Sequence, residues 1–293
     1  MTDYSQISII YNPNSTGDGP GMARELKKEL ASFYKTLPLK LVPTKHAGHA
    51  ETLAREIAST HKIPLIISAS GDGGYNEVVN GVMKAGNGQA ICAVLPAGNA
   101  NDHSRTMQDE PLLDLIKKAK PKKIDLLKIT INSSTDNSER FAHSYIGLGI
   151  TPVIAAELNK HDLNAFREMK IVVQRFYKYR PFKIMRGKKE IKLNSLVFAN
   201  INQMAKVLTL AKENKPDDGK FEVVTFPAQH KRKLVFSLLK AAATKLDTTR
   251  HETSYDFEVI KKMPIQLDGE VMVLKKGDKV LIESAHKVLK TLV

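Results

Sequence analysis

The sequence predicts a mixed α/β chain with two unlike halves. Three observations carry that prediction. Short apolar strands alternate with amphipathic helices up to about residue 128. Beyond it, short β-rich runs crowd together with few crossover helices between them, which suits an antiparallel sheet or sandwich. Three early strands also run straight into loops of small residues, at 12–19, 70–74 and 96–105. The carboxyl ends of strands are where ligands bind in open α/β sheets.

Taken in order, residues 6–11 are rich in Ile and read as a buried first strand. The loop Asn12-Pro13-Asn14-Ser15-Thr16-Gly17-Asp18-Gly19 follows, with Pro20 and Gly21 continuing it before a helix over 22–34. A second strand over 37–43 leads to Thr44 and then to a helix that opens near His49 and ends near residue 60. His46 and His49 have the i, i+3 spacing of a metal pair, but no carboxylate is spaced to complete a site, so His49 is read as a helix-start residue. The third strand, 65–69, meets Ser70-Gly71-Asp72-Gly73-Gly74 and then a helical phase with Val78, Val79 and Val82 on one side. Glycines let a backbone approach a ligand closely, and the amides that open a helix form a phosphate site. Asp72 would repel a phosphate unless a cation lay between them. The local reading is a metal-assisted nucleotide site, with an ordinary βα turn as its rival.

A fourth strand, 90–95, leads into the 96–105 loop. A helix over 112–119 is stopped by Pro121, and 123–127 is a further strand holding Asp125 between apolar neighbours. A lone carboxylate is costly to bury, so Asp125 is expected in a charge network. Residues 132–140 are polar, a loop or a hairpin. The β-rich runs then fall at 141–149, 182–186, 191–199, 221–226, 255–259, 264–267 and 271–274, with helices near 152–159, 166–179 and 231–243. The expected domains are 1–128 and 129–283, with the tail 284–293 an edge strand or helix returning to the first.

Composition narrows the function classes. At 293 residues there is room for one large or two ordinary domains, and no apolar run approaches the roughly 20 residues that span a bilayer. The opening MTDYSQISII lacks the basic region and long apolar core of a secretory leader. The single cysteine, Cys92, excludes an internal disulfide and reads as a buried structural thiol. The net charge of +14 favours an anionic partner. Nucleic acid, an anionic membrane surface and nucleotide phosphates all qualify, but there is no zinc spacing, stacked aromatic pattern or tryptophan to mark a nucleic-acid motif. Residues 160–192 carry eleven Lys or Arg against three acids, beside an apolar stripe of Phe166, Met169, Val172, Val173 and Phe176. Such a helix lies on anionic lipid or packs on its own domain with a solvated basic face.

The string from Ser70 to Gly81 resembles the Gly-Gly-Asp-Gly-Thr-x-Asn-Glu-x-x-Asn-Gly signature of the diacylglycerol kinase catalytic family, which includes bacterial lipid kinases and sphingosine kinases. Gly71, Asp72, Gly73, Asn76, Glu77, Asn80 and Gly81 match; Ser70 stands for the first Gly and Gly74 for Thr. Asn12-Pro13-Asn14-Ser15 resembles the family's Asn-Pro-x-Ser-Gly, with Thr16 inserted before Gly17 and no lysine before Lys27. Residues 96–105 resemble Pro-x-Gly-Thr-x-Asn-Asp-x-x-Arg, with Asn99 for Thr. Lys123-Ile124-Asp125-Leu126, Asp218-Gly219 before Phe221, and Asp268-Gly269-Glu270 resemble further family motifs.

The resemblance implies an N-terminal Rossmann-like domain of the NAD kinase and phosphofructokinase kind, plus a C-terminal β-sandwich that takes the lipid between the two. It implies an ATP- and Mg²⁺-dependent lipid kinase acting on a diacylglycerol-like hydroxyl, cytoplasmic and peripheral to an anionic membrane. The nucleotide would meet Asn12, Pro13, Asn14, Ser15, Thr16, Gly17, Thr44, Gly71, Asp72, Gly73, Gly74, Tyr75, Asn76, Glu77, Asn99, Asp102 and Asp125. Asp72 and Asp102 would assist the phosphate-bound Mg²⁺; a helix N-cap is the other reading of Asp102. A structural Mg²⁺ would take Asp218 and the carbonyls of Lys215 and Lys220, against a plain Asp-Gly turn. Glu270 would accept the hydroxyl proton, with Asp268 the alternative and a hairpin turn at Gly269 the rival. Two other functions stay open: an NAD kinase-like enzyme, which shares the Gly-Gly-Asp-Gly turn, and a catalytically weak lipid- or nucleotide-binding homologue, suggested by Gly74, Asn99 and the missing early lysine. The acceptor lipid is not named by the sequence, and a homodimer through paired edge strands is left open.

Overall fold

A computed structural model describes residues 3–15, 17–98, 101–134, 136–149, 180–201, 203–204, 208–209, 215–228 and 249–293. Thr16, Asn99, the helices expected at 152–159, 166–179 and 231–243, and the apolar stripe of Phe166 to Phe176 lie outside them. The chain divides into two compact units. The first holds residues 1–125 with 287–293, the second 126–286.

The first unit opens with β1 (Gln6–Tyr11), α1 (Gly19–Phe33), β2 (Leu39–Pro43), α2 (His49–Thr60), β3 (Pro64–Ser70), α3 (Asp72–Ala85) and β4 (Ile91–Pro96). Two short helices follow, α4 (Asp102–Met107) and α5 (Leu112–Lys118). The strands lie in the order β2-β1-β3-β4, every neighbouring pair parallel. A parallel sheet has helices on its faces and reads as continuous apolar sequence. Accordingly β3 is buried along all but its last residue. Helix α1 buries Ala23, Leu26 and Leu30 at helical spacing. It starts at Gly19, three residues ahead of the sequence-based start. Pro20 therefore lies inside the helix, where its missing N–H has no partner to lose and its fixed φ suits the first turn. Helix α3 starts at Asp72 rather than after the glycines, so Gly73 and Gly74 are helical. Helices α2 and α3 pack through small residues: a Cβ on Gly81 would lie 2.2 Å from the Glu51 carbonyl and 2.8 Å from Ala54 Cβ. Only glycine lets the two backbones approach so closely there.

The second unit is antiparallel. It contains β5 (Lys122–Asn132), β6 (Asn137–Ala142), β7 (Tyr145–Gly149), β8 (Phe182–Arg186), β9 (Lys189–Ala199) and a short pair, β10 (Gln203–Met204) with β11 (Leu208–Thr209). These are followed by β12 (Phe221–Pro227), β13 (Thr249–Glu252), β14 (Ser254–Val259), β15 (Met263–Leu267), β16 (Glu270–Leu274) and β17 (Lys279–Thr291). Their order is β16-β15-β7-β9-β8-β14-β17, with β12 between β9 and β13 and a β5–β6 hairpin. Leu148, Leu196, Phe198, Phe221, Tyr255 and Ile265 are among its core residues. The run expected as one strand over 141–149 is two, because the chain turns at His143 and Ser144. The last residues of β17 pair in parallel with β4, Lys290 with Ile91 and Thr291 with Cys92. The tail is thus a strand of the first unit's sheet.

Candidate functional site

In the first unit all parallel strands point their carboxyl ends to one edge, and the glycine loops gather there. Asn12 and Ser15 shape the first loop. Asn12 Oδ1 accepts the Asn14 N–H at 3.0 Å, and the Ser15 hydroxyl donates to the Gly17 carbonyl at 3.0 Å. The Thr44 N–H donates to the Tyr11 carbonyl at 2.8 Å, which brings Thr44 beside the end of β1. The Ala97 N–H donates to the Ser70 carbonyl at 3.1 Å. Three glycines then bring backbone onto backbone. A Cβ on Gly17 would lie 2.9 Å from the Ala97 carbonyl oxygen, and one on Gly98 only 2.4 Å from Gly71 Cα. Loops 27 to 80 residues apart in sequence are therefore in contact through main chain that any side chain would separate.

The acids of this edge hold backbone amides. Asp72 Oδ2 accepts the N–H of Asp102 at 3.0 Å and Oδ1 that of His103 at 3.1 Å. Asp72 thus caps α4 from the start of α3, a favourable place for a carboxylate. Asp102 is consequently not a side-chain N-cap. It is the first helical residue, fully buried and ion-paired with Arg105. Asn101, at the cap position with φ +50°, clasps the loop instead, accepting the Gly98 N–H at 3.0 Å and donating to the Gly98 carbonyl at 2.6 Å.

Four expected nucleotide contacts are engaged in the framework. Tyr75 and Asn76 are fully buried, because a helix starting at Asp72 turns these two positions inward. The Tyr75 hydroxyl lies 3.0 Å from Thr291 Oγ1, and Asn80 donates to both Asn76 oxygens. Glu77 accepts the Gly48 N–H at 2.9 Å and the Ala50 N–H at 3.1 Å, capping α2. Asp125, also fully buried, accepts the Lys287 N–H at 2.7 Å, where Lys287 takes a left-handed φ of +51°. Gly71, Asp72, Gly73 and Gly74 remain half-buried, and Asn12, Pro13, Asn14 and Gly17 are exposed. His49 sits at the start of α2 with its Nδ1 accepting the Lys45 N–H at 3.0 Å.

In the second unit, Asp268 and Gly269 form the two-residue turn between β15 and β16. Their φ values, +47° and +100°, are those of a tight hairpin of the Asp-Gly kind. The turn separates the two acids. Asp268 is fully buried. Its Oδ1 accepts the N–H groups of Ser144 and Tyr145 at 3.0 and 2.9 Å, and its Oδ2 that of His143 at 2.7 Å. Its oxygens are thus committed to the turn between β6 and β7, which makes it a framework group rather than a proton acceptor for substrate. Glu270 is one-third exposed, with Arg140 Nη2 3.5 Å from its Oε2. Among the described residues no three His, Cys, Asp or Glu converge on a metal. Asp218 is exposed on a turn, its Oδ1 accepting the Lys220 N–H at 3.0 Å. That bond is the local contact of a plain Asp-Gly turn; a carboxylate oxygen is also a donor that Mg²⁺ accepts.

Sequence reasoning assigned no role to three residues here. Arg140 gave no usable signal, and Asn101 was visible only as a match to the Asn of the 96–105 motif. Ser70 was visible only as a departure from the family pattern.

The family model for the diacylglycerol kinase catalytic domain matches residues 6–129. A curated diacylglycerol kinase of Bacillus subtilis (strain 168) is 37% identical over 113 residues, 38% of this chain and 35% of its own length. The match therefore spans about a third of that relative. A diacylglycerol kinase of Staphylococcus aureus (strain bovine RF122 / ET3-1) is 28% identical over 235 residues, 74% of this chain and 69% of its own length. A crystal structure described as a diacylglycerol kinase from Bacillus anthracis str. Sterne superposes with a TM-score of 0.72 at 18% identity, over 100% of this chain and 98% of that one. At that identity the likeness speaks for the fold.

Proposed function

We propose, for a chain whose residues 6–129 belong to the diacylglycerol kinase catalytic domain family, an ATP- and Mg²⁺-dependent kinase that phosphorylates a diacylglycerol-like lipid hydroxyl. Family membership supports a lipid kinase; the nucleotide, the metal and the acceptor are our reading. The observation that carries it is the contact of the Gly17, Gly71 and Gly98 loops at the carboxyl edge of the parallel sheet, beside the first turn of α3. Amides opening a helix bind phosphate, and side-chain-free backbone lets phosphate come close.

Bound ATP would supply the phosphoryl group and a divalent cation its charge neutralisation. The chain's own part is positioning and proton handling. The α3 amides at Gly73 and Gly74, with the Asn12–Gly17 loop, would orient the phosphates. Asp72, which faces the amides of Asp102 and His103, would offer carboxylate oxygen to the cation, while Asp102, fully buried and paired with Arg105, would hold the loop in place. Glu270 would take the proton from the acceptor hydroxyl, with Arg140 holding its carboxylate in place. The structural Mg²⁺ would rest on Asp218. The net charge of +14 supports a role at an anionic lipid surface, and no described helix is long and apolar enough to cross a membrane.

The test offers labelled ATP with separate diacylglycerol, sphingoid-base and NAD acceptors. Label enters lipid, and Glu270→Gln lowers kcat by roughly 10²- to 10⁴-fold while nucleotide affinity holds. Label appearing only in NADP overturns the proposal.

A further inference from the structure

The two departures from the kinase signature, Ser70 for Gly and Gly74 for Thr, are a single exchange in space. Ser70 ends β3, and Gly74 lies one turn later in α3. A Cβ on Gly74 would fall 2.5 Å from Ser70 Oγ and 2.7 Å from Ser70 Cβ. The second distance decides the matter. Oγ can swing away by a rotamer change, but Cβ is bonded to the backbone and cannot. This volume therefore admits one side chain, from position 70 or from position 74. The signature fills it from 74 and keeps Gly at 70; this chain fills it from 70 and keeps Gly at 74. Either way the side chain carries a β-hydroxyl.

That hydroxyl is held in place. Ser70 Oγ lies 2.7 Å from Ser68 Oγ and donates to the Gly71 carbonyl at 3.0 Å. Ser68 is buried, whereas Ser70 is half-buried where the loops meet. With Ser68 donating into its lone pair, the Ser70 rotor keeps a proton that it can turn from the Gly71 carbonyl to a nearby anion.

We infer that Ser70 is the nucleotide-positioning hydroxyl of this site, offered to the phosphate chain, with Gly74 the residue that must stay small to admit it. The inference rests on the proposed nucleotide site. It also removes one reason for reading the chain as a weak homologue, because the hydroxyl is relocated rather than lost.

The test compares wild type, Ser70→Ala, Ser70→Gly, Gly74→Thr and the double variant Ser70→Gly/Gly74→Thr. Two readouts need no lipid: the thermal midpoint, and the affinity for a fluorescent ATP analogue with MgCl2. Gly74→Thr alone lowers the midpoint by about 3 °C or more through overpacking, and the double variant regains it. Ser70→Ala and Ser70→Gly weaken nucleotide binding roughly tenfold or more, as loss of a hydrogen bond to a charged group does, and the double variant recovers most of that loss. Unchanged affinity in Ser70→Ala overturns the positioning role while leaving the kinase proposal standing. A wild-type protein that binds no nucleotide overturns both. Equal midpoints for Gly74→Thr and wild type overturn the steric exchange.

Discussion

At the carboxyl edge of the parallel sheet, Asp72 stays half-buried while its two oxygens receive the amides that open α4. At the β15–β16 hairpin, Asp268 is wholly buried and receives three amides from the 143–145 turn. Both are motif acids beside glycine, and both are spent on backbone. The difference lies in what remains. Asp72 is only half-buried at the loop edge, which is compatible with the cation role proposed for it. Asp268 is closed off from solvent, whereas Glu270, two residues on, is partly exposed, which is why the proposed proton acceptor is Glu270. A motif acid therefore has to be weighed by the amides already pointing at it. Glu77 and Asp125 fall on the framework side by the same measure.

The largest effect expected from that difference is at the hairpin. Asp268→Ala leaves three buried N–H groups without their acceptor, each loss costing about 1–3 kcal/mol. The variant should lose about 3 kcal/mol or more in denaturant unfolding, or fail to fold. Glu270→Ala removes a long, partly exposed ion pair at a partly exposed position and should stay within about 1 kcal/mol of wild type. Equal losses for the two would erase the distinction between framework acid and proton acceptor.

A smaller effect is expected at α2. Glu77→Gln keeps one carbonyl oxygen but turns an amide toward the N–H of Gly48 or Ala50. Loss of a helix cap costs about 1 kcal/mol, in the range 0.5–2. Unfolding should shift by that amount, with faster hydrogen exchange at the Ala50 amide and little change in nucleotide affinity. A large fall in affinity at unchanged stability would move Glu77 from the framework to the nucleotide contacts.

Much of this was legible in the sequence, and the exceptions share a physical cause. The strands β1, β3 and β4, their glycine loops and the parallel-then-antiparallel division follow from local apolar runs and small-residue turns, which a sequence displays directly. The start of α3 was read too late because glycine marks a turn as readily as it permits a close helix start; Gly71 is accounted for by its contact with Gly98, and Gly74 by its contact with Ser70. The preference for Glu270 over Asp268 came from the family resemblance alone; the burial of Asp268 was not legible, because it depends on amides more than 120 residues away in sequence and on a left-handed φ at Asp268. Ser70 and Gly74 were each visible as departures. Their relation was not, because it consists of one distance across a strand end and a helix turn.

The comparison between the units also has a pH dependence. In the first unit, burial pushes the Cys92 thiol up to about 12. Burial raises the Tyr4 phenol as well, with Tyr34 adding to it, and raises Tyr34 itself. Both phenols donate to the Ile116 carbonyl at 3.2 Å. In the second unit burial raises Tyr255, but the Arg186 guanidinium, 3.9 Å from the centre of its ring, opposes the shift. A group whose folded value is raised stabilises fully below its unfolded value, and that contribution is lost as pH rises toward the folded one. For Cys92 the window runs from about 9 to about 12; the tyrosines add theirs from 10 upward. Alkaline pH should therefore loosen the parallel unit around Cys92 and Tyr4. Cys92 should resist iodoacetamide at neutral pH, since the thiolate is the nucleophile, and become reactive as peptides of the first unit lose hydrogen-exchange protection. Hydrogen-exchange protection of the first unit that survives alkaline pH unchanged, with Cys92 still unreactive, would mean that the buried thiol and phenol do not carry this pH dependence.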